Sequence, residues 1–143
     1  MYKRILLPLD GSVVAEQALP HAIAVATSFK AELNLIQVIT PLSINLGIYK
    51  SALDQAEMSI CKMAQDYLDG IATRFQDNNI VVKTTTIQGA PHVQIVRFAE
   101  KNSVDLIVIC SRWHSDVNNW LMGSIVDNVC RGVKIPVLLI RAK

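Results

Sequence analysis

Glycine is scarce in this chain: there are six in 143 residues, and none between Gly89 and Gly123. A loop that presents bare backbone to a phosphate therefore has few places to form. No G-x-x-x-x-G-K-[ST] stretch and no G-x-S-x-G elbow occurs, which excludes the P-loop and serine-hydrolase routes to catalysis. Cysteine is equally sparse. Cys61, Cys110 and Cys130 are odd in number and widely spaced with no C-x-x-C pair, so neither a disulfide framework nor a zinc knuckle is indicated. Charge of one sign is missing too: 14 basic and 12 acidic residues are interspersed without a Lys/Arg run, which argues against nucleic acid as a partner. The apolar segment before Asp10 is too short for a signal peptide or a membrane span, so a cytoplasmic protein without membrane attachment is expected.

What the chain has is apolar residues, 51% of the total, enough for one continuous core and one domain over residues 1–143. Five short apolar runs read as strands: RILLPL, ELNLIQVIT, IVVKTTTI, DLIVICS and PVLLIR. Longer segments with helical spacing lie between them. From Ser12 to about Phe29 the spacing predicts a helix capped by Ser12 and bent at Pro20. From Lys50 to about Gln76 the inward stripe is Leu53, Ala56, Ile60, Met63, Tyr67, Ile71 and Phe75, opposite Asp54, Lys62, Asp66 and Arg74. Residues 41 to 48, PLSINLGI, form a connection before it. Gly89 followed by Pro91 starts a third helix. A last one runs from Asn118 or Asn119 to Arg131, with Ile125, Val126, Val129 and Cys130 inward and Gly132 as its stop. Cys61 and Cys130 read as small buried hydrophobes.

Strands alternating with helices imply an α/β domain: a doubly wound, five-stranded, mostly parallel open sheet with helices on both faces, its first and fourth strands adjacent. Ligands of such sheets collect at the carboxyl ends of the strands where the winding reverses. That crevice is lined by the end of RILLPLDGS, by the turn from Val38 to Pro41 and by the loop after Ile109.

Over essentially its whole length the chain resembles the universal stress protein family. The resemblance is carried by ILLPLDGS with ALPHAI, by GAPHVQIVRFAEKNSVDLIVICSR and by MGSIVDNVCRGVKIPVLLIR. It implies frequent homodimers and small cytoplasmic proteins of stress survival, some of which bind ATP or related adenine nucleotides. ATP-binding members carry Gly, two residues, Gly, nine residues, Gly and Ser or Thr from the end of the fourth strand. Those places are here Cys110, Trp113, Gly123 and Ser124, and a further frequent glycine is Asp116. Two of the three glycines are replaced. Trp113 obstructs by bulk and by backbone preference, and Asp116 adds a like charge near the phosphates.

By the same resemblance Asp10 holds the ribose or adenine end of a nucleotide, and the main chain at Val38 meets the adenine. Read from the residues alone, Asp10 in DGS is a turn residue capping the next helix and Val38 is a strand residue, and both readings stay open. Arg112 can pair with a phosphate or stand solvated. His92 and His114 lack a second ligand at metal spacing, so no metal is expected. Two functions are expected: a non-catalytic stress-response module, homodimeric through its last strand, with weak or absent ATP binding and an unidentified protein partner; or an adenine-nucleotide switch, binding ATP or AMP through Asp10, Val38, Gly123 and Ser124. An enzyme is not expected, because no carboxylate pair at the crevice is placed to hold magnesium.

Overall fold

The computed structural model describes residues 1–41, 50–111 and 125–143. Strand β1, Arg4–Leu9, is buried at nearly every position, as a strand covered on both faces must be. The chain turns at Asp10 and Gly11 (φ 83°) into helix α1, Val13–Glu16, whose cap Ser12 accepts the Ala15 N–H. The single bent helix expected over Ser12 to Phe29 is instead two. Pro20 cannot donate to the carbonyl four residues back, at Glu16, and its ring would strike it. The chain therefore breaks after Glu16 and restarts as α2, Leu19–Phe29, with Pro20 in the first turn.

Strand β2, Glu32–Ile39, leads to helix α3, Lys50–Arg74, and a 3-10 turn at Gln76–Asn78. Next come β3, Val82–Gln88, α4, Pro91–Lys101, and β4, Leu106–Ser111. Helix α5, Ile125–Gly132, and β5, Val137–Arg141, complete the order. Nearly all of the expected connection at 41–48, and the expected start of the last helix, lie outside the described residues. All strands pair in parallel in the order β3-β2-β1-β4-β5, with β1 beside β4 and β3 and β5 at the edges. One core layer joins Leu7, Leu9, Leu35, Leu68 and Val108 under α2 and α3. The other joins Leu6, Ile36, Ile95, Ile107 and Val129 under α4 and α5. The fold is the doubly wound sheet that the alternation of runs implied.

Helix α3 departs from the expected stripe. Ile71 is buried and Tyr67 and Phe75 are half-buried, but Ala56, Ile60 and Met63 face solvent, while Ala64 and Leu68 take the core positions. Length accounts for the first turns, and a rotation of the stripe for Met63. Twenty-five residues of helix span roughly 37 Å, and the eight residues of β2 roughly 26 Å. The helix meets the carboxyl end of β3 where Gln88 Nε2 donates to Cys61 Sγ (3.4 Å), and earlier residues overhang the sheet. Leu68→Ala, at 0% exposure, is therefore expected to destabilise the protein by about 3 kcal/mol. Met63→Ala, at 71% exposure, should stay within about 0.5 kcal/mol. Urea unfolding of the two variants checks the rotation of the stripe.

In α5 the expected inward set is also corrected. Val129 is buried and Val126 half-buried, but Ile125 and Cys130 are exposed. The helix packs through positions 126, 129 and 133, and Cys130, one residue past Val129, is turned about 100° away from the core. Cys61 is half-buried.

Candidate functional site

The crevice begins where β1 ends. Asp10 Oδ1 accepts both the Ser12 N–H (2.9 Å) and the Ser12 hydroxyl (2.5 Å), while Ser12 Oγ accepts the Ala15 N–H (3.1 Å). The aspartate thus fixes the turn and supports the cap of α1, the role its DGS context predicted. Only one carboxylate oxygen is used in these bonds. The side chain stays exposed at the strand ends, with Oδ2 left to accept a ligand donor.

Val38 lies on β2 opposite Ile87, half-buried against the α4 and α5 layer. Peptide groups alternate along a parallel ladder, and Glu32 N–H donates to the Lys3 carbonyl (2.9 Å) at its foot. Counting along the strand, the Val38 carbonyl points toward β1, whose last paired residue is Leu9 opposite Gln37. The chain of β1 has turned away at that level, so this carbonyl faces the gap.

Cys110 is the last residue but one of β4, beside Ile140 of β5, and packs half-buried against the α2 and α3 layer. Burial raises its thiol pKa, and the Asp10 carboxylate raises it further. The structure therefore brings Asp10 and Cys110 together, while the Val38 side chain belongs to the opposite face of the sheet. Arg112, Trp113, Gly123 and Ser124, with His114 and Asp116, lie outside the described residues. Because its thiolate is disfavoured, Cys110 should alkylate with iodoacetamide at pH 8 several-fold more slowly than a free thiol. Asp10→Asn should recover part of that rate, read by peptide mass spectrometry.

Sequence reasoning missed a second group at this end. Tyr67 of α3 lies near Glu16 and Asp10, and its hydroxyl pKa is raised by burial first and then by these two carboxylates. The phenol stays protonated, and its buried oxygen closes no hydrogen bond of good geometry. Glu16 in turn pairs with Arg74 Nη2 at 3.3 Å. A tyrosine on an otherwise apolar stripe is the one signal that foretold this, since a buried phenol requires a polar neighbour. Among the described residues no group of three His, Cys, Asp or Glu side chains is placed to hold a metal ion. None of their helices is long and apolar enough to cross a membrane.

The sequence model of the universal stress protein family matches residues 1–141 of the chain. Universal stress protein MJ0577 of Methanocaldococcus jannaschii is 31% identical over 157 aligned residues, covering 100% of this chain and 97% of that protein. The solved structure of MJ0577 matches with a TM-score of 0.81, covering 100% of this chain and 98% of that one. A universal stress protein in complex with cAMP is 22% identical, with a TM-score of 0.73 and coverages of 99% and 98%. A universal stress protein family protein from Arabidopsis thaliana with AMP bound is 10% identical, with a TM-score of 0.65 and coverages of 99% and 92%. The last two likenesses are of fold alone.

Proposed function

Since the chain belongs to the universal stress protein family, we propose that it is a non-catalytic, homodimeric regulatory or interaction module of the cytoplasm, one domain over residues 1–143, that binds ATP weakly or not at all. The observation that carries this reading is Cys110. It occupies the end of β4, where ATP-binding members have glycine, with its side chain half-buried against the α2 and α3 layer and its thiol in the field of the Asp10 carboxylate. A phosphate approaching that strand end meets a side chain and the Asp10 charge in place of bare backbone. Trp113 and Asp116 extend the obstruction along the sequence, and Gly123 and Ser124 remain as the phosphate anchor.

A second reading, an adenine-nucleotide switch, is favoured by Asp10 Oδ2 and the Val38 carbonyl, two acceptors suited to a ribose hydroxyl and the adenine amine. AMP, with one phosphoryl group, suffers least from the altered loop. That proteins of this fold hold AMP and cAMP supports such a ligand. Neither reading includes turnover. Incubated with ATP and magnesium, the protein should release phosphate no faster than buffer. Release that survives repeated purification and disappears in Asp10→Ala would contradict the non-catalytic assignment.

A further inference from the structure

The opposite end of the sheet carries a second concavity. A cleft of about 550 Å³ opens at the amino ends of β1, β2 and β3, on the face covered by α4. It exists because α4 packs over β2 on its way to β4 and leaves the edge strand β3 uncovered on that side. Its wall and floor are Glu32, Asn34, Lys83 and Thr85, and its rim is Arg4 with Lys101 to Ser103 at the end of α4.

These strand positions share a face with Leu6 and Ile36, which are core, and with Ile87, which packs against it. A strand built only for packing would continue Val or Ile through positions 34 and 85. Instead Asn34, 5% exposed, is the one buried polar side chain of the described core. Its Nδ2 donates to Glu32 Oε1 (3.0 Å), so its carbonyl oxygen is the group it offers to a ligand. Glu32 also binds Lys83 (2.8 Å). Arg4 Nη1 donates to the Asn102 carbonyl (3.3 Å), which holds the guanidinium at the rim with its other N–H groups available. Lys101 stands exposed at the same rim. Three cations against one carboxylate leave the cleft cationic, and the carboxylate is already neutralised by Lys83.

We propose that this cleft binds a small polyol or sugar bearing one phosphoryl group. The phosphoryl dianion lies between Arg4 and Lys101, and its hydroxyls meet Asn34 and Thr85. A monocarboxylate brings one charge to two cations and fits less well. A lipid or a nucleobase is disfavoured, because Phe98 is the sole aromatic side chain among the lining residues and the remainder of the lining is polar. The cleft is large enough for a carbon skeleton beyond phosphate itself, and it lies at the other end of the sheet from the Asp10 crevice.

The test is a ¹⁵N-correlation NMR titration of the full chain with glycerol 3-phosphate, inorganic phosphate and glycerol in turn. Glycerol 3-phosphate should shift the amides of Lys83, Thr85, Lys101 and Ser103 saturably, with a Kd of about 1 mM. Glycerol should leave them unmoved. Lys101→Gln and Lys83→Gln should each weaken binding by about fivefold, the second by leaving Glu32 uncompensated. Asn34→Leu, which suits the core, should lower the affinity for glycerol 3-phosphate to that for phosphate and leave phosphate unaffected. Linear shifts scattered over the surface lysines, or binding unchanged in Lys101→Gln, would overturn the site. Equal affinity of the parent for phosphate and glycerol 3-phosphate would overturn the polyol assignment.

Discussion

Cys110→Gly with Trp113→Gly is expected to raise ATP affinity by about tenfold or more. Each restored backbone N–H to a phosphate oxygen is a charge-assisted hydrogen bond of about 1.5–3 kcal/mol, and about 1.4 kcal/mol is a factor of ten. Adding Asp116→Gly should contribute about fivefold further by removing a like charge, and this part should shrink at high salt as the charges are screened. The variant has a structural cost as well. Cys110 packs half-buried on the core beside Ile140, so a glycine there removes contacts and frees the strand backbone. A loss of about 1–2 kcal/mol in stability is expected, and the calorimetry belongs well below the unfolding temperature. Affinity that is unchanged in the triple variant would mean that the loop is not what limits ATP binding.

The dimer prediction rests on β5. Its strand is an edge of the sheet, with Leu138 and Leu139 at 37% and 38% exposure, and a second copy would cover both. The β4 and β5 ladder runs from the Ile107 N–H on the Pro136 carbonyl (3.1 Å) to the Ala142 N–H on the Ser111 carbonyl (3.0 Å). Alternation from those two bonds turns the N–H groups of residues 138 and 140 toward β4 and that of Leu139 outward. Leu139→Pro therefore removes an outward donor while sparing the ladder within one protomer. Sedimentation equilibrium at tens of micromolar should give twice the 15.8 kDa chain mass for the parent. The variant should fall to the monomer mass with its circular dichroism retained. A parent at 15.8 kDa, or a dimeric Leu139→Pro, would place the contact elsewhere or nowhere.

The strands were legible because a parallel sheet buried on both faces demands unbroken apolar runs, and RILLPL and DLIVIC have them. Of their order, only the adjacency of the first and fourth strands was read from the winding pattern, and the structure has β1 beside β4. Helix α3 was legible in extent but not in rotation. Periodicity cannot tell which of two neighbouring stripes turns inward, so Ile60 and Met63 looked like core where Ala64 and Leu68 are. Pro20 signalled a disturbance, but whether the helix bends or restarts depends on how Leu19 and Ala22 seat on the core. At the site, the turn meaning of Asp10 was legible in DGS, and one carboxylate oxygen holds Ser12 as that motif requires. The approach of Tyr67 to Glu16 and the cleft around Asn34 arise from elements distant in sequence, which no local motif spells out.

The claim at the centre is that the phosphate end of the crevice is obstructed while its adenine end is intact. Calorimetry of the unmodified chain against AMP and ATP tests it most directly. AMP is expected to bind at least as tightly as ATP, with ATP weaker than about 100 μM. ATP binding at about 1 μM or better, roughly −8 kcal/mol, and tighter than AMP, would contradict it.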